Sequence, residues 1–194
     1  VDGDGDLDAF VANDQNQGNK VWLNNGSGSF TETNQSLGSY YSRGVGLADL
    51  DGDGDLDAFV ANYSGQGNKV WLNDGSGNFT DSGQSLGSYN SNDVKLADFD
   101  KDGDLDAYVA NYNQGNRVWI NDGSGSFTDS GLDLKDGSIY ESYGVDLGDL
   151  DGDGTVDAFV ANYDDYNKVW LNDYTEDITS TWNAATGTLT LSGS

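Results

Sequence analysis

The chain has 194 residues, 34 of them Asp or Glu against 8 Lys or Arg, for a formal net charge of −26. A polyanion of that density is unsuited to nucleic acid or an anionic membrane surface, and apolar runs of only a few residues rule out membrane insertion by a helix. With no His and no Cys, the chain can build no Ser-His nucleophile pair, no imidazole metal site and no disulfide framework.

Low hydropathy with high charge ordinarily points to disorder. Here the aromatic residues, 12% of the chain, stand at fixed points in a repeat. Asp2 maps to Asp51, Asp51 to Asp100 and Asp100 to Asp151, steps of 49, 49 and 51 residues. Periods of that size belong to propellers, solenoids and arrays. Four repeats follow at 1–50, 51–99, 100–150 and 151–172, and then a tail at 173–194.

Each full repeat reads as four strands, set out most clearly in the second. The first run, RGVGLADL from Arg43 to Leu50, alternates: Val45 and Leu47 recur as Val94 and Leu96, and as Val145 and Leu147, around a tolerant position held by Gly46, Lys95 and Asp146. The runs DAFVAN, 57–62, and KVWLN, 69–73, are apolar at adjacent positions, as strands covered on both faces are. Asn-Asp-Gly-Ser-Gly at 73–77 and 121–125 is a hairpin signal, and NFTDSGQSL, 78–86, is the fourth run. A four-stranded sheet cannot bury both faces alone, so the repeats predict an all-β chain of four-stranded antiparallel blades, a β-propeller.

Between the first and second runs lies a nine-residue acidic loop that occurs four times. It places Asp49, Asp51, Asp53 and Asp57, then Asp98, Asp100, Asp102 and Asp106, then Asp149, Asp151, Asp153 and Asp157 at positions 1, 3, 5 and 9. The first repeat supplies Asp2, Asp4 and Asp8 and lacks position 1, an incomplete fourth site. Two carboxylates at about 4 Å repel by roughly 4 kcal/mol at an effective dielectric of 20, so the loop calls for a counter-charge. Hard oxygen donors in a flexible loop favour Ca2+ over Mg2+. Position 6 is Gly5, Gly54, Gly103 and Gly154, where the chain reverses. Position 7 is Asp6, Asp55, Asp104 and Thr155, a variation that fits a backbone carbonyl ligand. Position 8, Leu7, Leu56, Leu105 and Val156, reads as an apolar peg. An EF-hand would need Glu at position 12 and a helix after it; Val11, Val60, Val109 and Val160 stand there instead.

The pattern ADLDGDGDLDAFVAN followed by NKVWLNDGSGNFT resembles the FG-GAP and VCBS-type repeats of integrin-α-like β-propellers, of the kind found in bacterial surface adhesins. The resemblance covers residues 1 to about 172. It implies calcium in the loop between a blade's first and second strands, and secreted or cell-surface proteins that serve as adhesins and recognition modules, with some lyases on related propellers. The fourth repeat departs from the pattern after Asn172, where Asp173 to Asp177 replace the hairpin. The chain opens inside a motif, as a piece of something longer would. Its tail, ITSTWNAATGTLTLSGS from Ile178, reads as two β-runs, either closing the first and last blades by strand exchange or beginning a further domain.

Trp22, Trp71, Trp119 and Trp170 recur at one place and read as packing between blades. Lys20, Lys69, Arg117 and Lys168 precede them and read as partners of the acidic loops. Tyr40, Tyr41, Tyr63, Tyr89, Tyr112, Tyr140, Tyr143, Tyr163 and Tyr166 sit in inter-strand loops, where aromatics contact ligands or pack the loops. The expected function is a calcium-stabilised extracellular propeller that binds a carbohydrate or protein ligand. A subunit that assembles with other copies of itself into a filament or sheath is the alternative, and a polysaccharide lyase is a third class. An enzyme is not expected, since the patterned carboxylates are committed to metal and catalytic sites break internal symmetry.

Overall fold

The computed structural model describes residues 1–135, 141–163 and 166–173, and the backbone of 181–185. Among them there is no helix, and sixteen strands form four four-stranded antiparallel sheets. The first holds β1 (Ala9–Val11), β2 (Gln17–Asn24), β3 (Phe30–Glu32) and β4 (Leu37–Tyr40), with β4 pairing β2. The second runs β5 (Ser42–Ala48), β6 (Asp57–Asn62), β7 (Lys69–Asn73) and β8 (Phe79–Asp81); the third runs β9 (Ser91–Ala97), β10 (Asp106–Asn111), β11 (Arg117–Asn121) and β12 (Phe127–Asp129). The fourth orders β13 (Ser142–Gly148), β14 (Asp157–Asn162), β15 (Lys168–Asp173) and β16 (Thr181–Ala185). One register recurs throughout: Ala9, Ala58, Ala107 and Ala158 face Trp22, Trp71, Trp119 and Trp170.

In the first three repeats the strand of the fourth run has three residues, fewer than the sequence predicts. In the second repeat β8 ends at Asp81, whose Oδ1 accepts the Gly83 N–H at 2.8 Å, and Gly83 turns the chain at φ +85°. Beyond β8 the run is held to the sheet by the Ser82 N–H on the Val70 carbonyl at 3.0 Å and by the Asn68–Leu86 bridge. In the tail, β16 lies antiparallel to β15 from Val169–Ala185 to Asp173–Thr181. Residues 136–140, Tyr140 among them, 164–165, and the tail at 174–180 and 186–194 lie outside the described residues.

Three apolar cores sit between consecutive sheets. Phe10, Val21 and Leu37 meet Trp71 and Phe79; Phe59, Val70 and Leu86 meet Trp119 and Phe127; Tyr108, Val118 and Leu134 meet Trp170 and Val160. Trp71, Trp119 and Trp170 thus pack into the preceding repeat, and each core needs both sheets. Edge-on ring pairs mark the first two joints, Phe10–Phe79 at 5.2 Å and Phe59–Phe127 at 5.1 Å, a geometry worth about 0.5–1.5 kcal/mol beyond area burial. The position read as tolerant in the first strand is packed in the second repeat: a Cβ on Gly46 would lie 2.9 Å from the Leu96 side chain. One on Gly44 would lie 2.9 Å from Asp93 Cα, so β5 and β9 meet backbone against backbone.

Buried asparagines, which the apolar pattern does not reveal, tie the far end of each hairpin. Asn13, Asn62 and Asn111 donate their N–H groups to Asn19, Asn68 and Asn116 Oδ1 at 2.8–2.9 Å. In the third repeat Asn116 Nδ2 also donates to Tyr108 Oη at 3.2 Å, whereas in the repeats that hold Phe10 and Phe59 at the Tyr108 position the Asn19 and Asn68 amide nitrogens have no hydrogen-bond partner. Tyr108→Phe should therefore cost about 1–3 kcal/mol in denaturant unfolding, the penalty of a newly orphaned buried donor.

Candidate metal centres

The acidic loops join β5 to β6, β9 to β10 and β13 to β14, so their nine positions start at the end of one strand and finish on the first residue of the next. That last residue, position 9, is the anchor. Asp57 takes the Leu50 N–H at 2.9 Å and the Asn73 N–H at 2.8 Å; Asp106 takes those of Phe99 and Asn121, and Asp157 those of Leu150 and Asn172. One carboxylate thus ties the start of its loop to the end of the third strand. Asp8 accepts the Asn24 N–H at 2.8 Å in the same way.

Position 6 turns in the left-handed region that Gly tolerates best, with φ from +83° at Gly154 to +100° at Gly103. Carboxylates at positions 3 and 5 each accept the N–H two residues on, as Asp51 does from Asp53 and Asp53 from Asp55. These bonds wind the loop so that oxygens converge. In four clusters, Asp2–Asp4–Asp8, Asp49–Asp51–Asp53, Asp98–Asp100–Asp106 and Asp149–Asp151–Asp157, one oxygen from each residue lies within 4.8 Å of the others. A further group joins Asp151, Asp153 and Asp173. Asp57 lies outside the tight cluster of the second repeat, Asp153 outside Asp149–Asp151–Asp157, and Asp102 outside that of the third, where it accepts the Asp104 N–H at 2.9 Å.

Position 7 points elsewhere. The Asp6, Asp55 and Asp104 side chains press on Gly26, Gly75 and Gly123 of the hairpin between third and fourth strands, where a Cβ would come within 2.4–2.5 Å of a carboxylate oxygen. Thr155 makes the same reach in the fourth repeat, its hydroxyl donating to the Asn172 carbonyl at 2.5 Å. Asp and Thr are interchangeable here because each side chain serves the hairpin, leaving the backbone carbonyl as this position's loop-facing group.

Position 8 divides: Leu7 is 85% exposed and Leu56 is exposed too, whereas Leu105 and Val156 are half-buried against the second and third cores, and position 2 holds the buried Leu50 and Phe99. Side chains alternate along the chain, and the first strand's inward phase continues into position 2. The next repeat locks that position: Asn73, Asn121 and Asn172 Nδ2 donate to the Val1, Leu50 and Phe99 carbonyls at 2.8–2.9 Å.

Electrostatics follow from this crowding. Burial above all pushes Asp57, Asp106 and Asp157 up from the usual carboxylate range, Asp106 to about 7, against the pull of their backbone hydrogen bonds. Burial and then the neighbouring carboxylates push Asp51 and Asp100 up as well. Asp153 moves down because the Thr155 hydroxyl donates to it. Three of the four basic residues that precede the Trp positions pair away from the loops: Lys20, Lys69 and Arg117 meet Glu32, Asp81 and Asp133 at 2.7, 3.2 and 3.2 Å, on or just after the fourth run. Lys69 and Arg117 also lie over the Tyr40 and Tyr89 rings of the preceding repeat. Convergent oxygens, raised carboxylates and a buried Asp98 Oδ1 with no hydrogen-bond partner are a donor set that fits a hard divalent cation.

At the opposite end of the hairpins, four of the tyrosines form a ladder. Tyr63, Tyr112 and Tyr163 directly follow β6, β10 and β14, and Tyr143 lies in β13. Ring centroids are 6.0 Å apart from Tyr63 to Tyr112, 6.0 Å from Tyr112 to Tyr143 and 5.6 Å from Tyr143 to Tyr163. The Arg43 guanidinium caps the Tyr63 ring at 3.5 Å, Tyr143 and Tyr163 are exposed, and a hydrogen bond with Glu141 pushes the Tyr112 hydroxyl up.

No curated protein matches the chain. A family model described as FG-GAP-like repeat matches it three times, over residues 1–60, 49–109 and 98–160, each match beginning in one acidic loop and running through the next. Those overlapping matches take in the loops, the hairpins and the joints between sheets as one continuous pattern, and the chain belongs to the FG-GAP-like repeat family.

Proposed function

We propose that this chain is a non-enzymatic, extracellular recognition or adhesion module whose four sheets are blades of a β-propeller, with calcium clamping the loop between the first and second strands of each blade. The observation that carries this reading is that in each of four repeats three carboxylates of the loop bring an oxygen within 4.8 Å of one another, position 3 always among them, beside a position 9 carboxylate that holds the same two hydrogen bonds in three of the repeats. Asp49, Asp51, Asp53 and Asp57 would hold one ion with the Asp55 carbonyl; the third and fourth loops would use their equivalents. Asp2, Asp4 and Asp8 with the Asp6 carbonyl make a weaker site. The ion would cancel the mutual repulsion of the carboxylates and join two strands; it has no reacting group to serve, since each cluster repeats the others. Calorimetric titration of the metal-free chain should give three strong sites, and absence of heat at millimolar calcium would reject the reading.

The tyrosine ladder supports the recognition half. Loop aromatics on a rigid sheet scaffold offer contact area at low entropic cost. A carbohydrate or protein ligand fits such a surface better than an acidic one does, given the net charge of −26. Tyr143→Ala with Tyr163→Ala should lower retention on a glycan or host-protein panel by tenfold or more while leaving the melting midpoint within about 2 °C, since both side chains are exposed. Unchanged retention on every ligand that the parent binds would move recognition off this ladder.

A further inference from the structure

One asparagine near the end of the third strand belongs to two acidic loops at once. Asn121, 2% exposed, gives its N–H to Asp106, the position 9 carboxylate of the third loop, at 2.8 Å. Its side-chain nitrogen donates to the Leu105 carbonyl of that loop at 3.2 Å and to the Leu50 carbonyl of the second loop at 2.9 Å. Leu50 in turn gives its own N–H to Asp57, the position 9 carboxylate of the second loop. Asn73 and Asn172 stand in the same way, Asn73 on Asp57 and Val1, Asn172 on Asp157 and Phe99. Hydrogen bonds therefore lead from Asp57 through Leu50 and Asn121 to Asp106, and from Asp106 through Phe99 and Asn172 to Asp157. Every residue on that line is buried. The Oδ1 atoms of Asn73, Asn121 and Asn172 are buried without a hydrogen-bond partner; an oxygen turned onto the carbonyls would be repelled, so the loops orient each amide although its acceptor goes unused. The hairpin between third and fourth strands adds a second link: Cβ atoms placed on Gly125 and Gly123 would lie 3.4 Å from Asp51 Cβ and 2.4 Å from an Asp104 carboxylate oxygen, at positions 3 and 7 of consecutive loops.

We propose that Asn121 and Asn172 couple the calcium sites of consecutive loops, so that loading one site raises the affinity of the next. The inference rests on the calcium reading above and adds to it an influence of each site on its neighbour. Its physical basis is order. An ion held by Asp106 and the Asp104 carbonyl would fix the last positions of the third loop, and with them Asn121. Asn121 would then hold the Leu50 carbonyl, one residue before Asp51, so the second loop would have less freedom left to lose when it binds, which is positive cooperativity without a change of fold. Coupling of two binding events is reciprocal, so the second loop favours the third by the same factor. Charge acts in the opposite sense, since each bound ion weakens the attraction of neighbouring carboxylates for another. That influence does not pass through an amide, and salt near 0.15 M screens it beyond about 8 Å. Asn121 and Asn172 are positioning residues: they supply no ligand and act through the residues that do.

Calcium titration followed by NMR of the position 6 amides, Gly54, Gly103 and Gly154, reads each loop separately. Asp102→Ala takes a carboxylate from the third loop at an exposed position. In the otherwise unchanged chain it should raise the calcium midpoint at Gly54 about fivefold or more, the low end of the usual range for coupled sites. Asp53→Ala, exposed in the second loop, should raise the midpoint at Gly103 by the same factor. Asn121→Ala keeps the N–H that Asp106 accepts and removes the amide; on that background Asp102→Ala should shift the Gly54 midpoint by less than about twofold, as independent sites do. Asn172→Ala tests the next joint in the same way, with Asp102→Ala read at Gly154, so a variant that fails to fold leaves the other to decide. A Gly54 midpoint that ignores Asp102→Ala, or a coupling that survives the loss of the amide, would overturn the proposal. Amides that respond to calcium with uncoupled midpoints would overturn the coupling and leave the calcium module standing, whereas amides that ignore calcium altogether would overturn both.

Discussion

Removing calcium from the chain at pH 8 should lower its melting midpoint by roughly 8–16 °C. With a dissociation constant near 0.1 mM and about 1 mM calcium, one site contributes on the order of 1.4 kcal/mol. Three complete sites give about 4 kcal/mol, and a domain of this size shifts by about 2–4 °C per kcal/mol. Scanning calorimetry with calcium and with excess chelator measures it. A midpoint that does not move would remove the ion from the account of the loops and leave them as hydrogen-bonded turns.

The same experiment has a pH arm with a definite sign. Asp57, Asp106 and Asp157 are pushed up in the folded metal-free chain, Asp106 to about 7, from the ordinary value near 3.8. Between about pH 4 and 7 the folded state keeps protons that the unfolded chain has released, so stability is fully present at the acid end and is lost as pH rises through the folded value. The metal-free chain should accordingly melt higher at pH 5 than at pH 8. Calcium competes for the deprotonated oxygens, so its gain should be largest at pH 8 and shrink as pH falls through 7. Equal calcium gains at both pH values would mean that ions bind away from these carboxylates.

Some of this was legible in the sequence to the residue, and some could not be. The bounds of β6, β10 and β14 coincide with the DAFVAN-type runs because Asp opens and Asn closes each one with a side-chain hydrogen bond that a one-residue shift would break. The convergent carboxylates were readable from spacing alone, since alternate residues of a tight loop share a side. Three features depended on neighbours that a single repeat does not contain. Leu50 and Leu56 are both loop leucines, and only the next repeat, arriving with Asn121, decides that Leu50 is the buried one. Gly46 looked tolerant beside Lys95 and Asp146, yet in the second repeat Leu96 fills the space above it. Lys69 has acidic loops within sequence reach, but the sheet register sets its ammonium beside Asp81.

Position 9 should prove more costly to lose than any other carboxylate of the loop, because it is both scaffold and ligand. Asp106→Ala leaves the Phe99 and Asn121 N–H groups without their acceptor in a buried setting. At about 1–3 kcal/mol for each orphaned donor, the expected loss is about 2–6 kcal/mol even in chelator at pH 5, where a protonated Asp106 would still accept both bonds. Calcium at pH 8 should add about 1.4 kcal/mol more, the contribution of the lost site. Asp102→Ala is the contrasting variant: Asp102 is exposed and accepts the Asp104 N–H, so its loss in chelator should stay below about 1 kcal/mol while its calcium-dependent loss matches that of Asp106→Ala. Urea unfolding of both variants in the two conditions separates the roles. If the two lose the same amount and only when calcium is present, the buried carboxylate is an ordinary ligand, and the tie between loop and third strand is held by something other than its two hydrogen bonds.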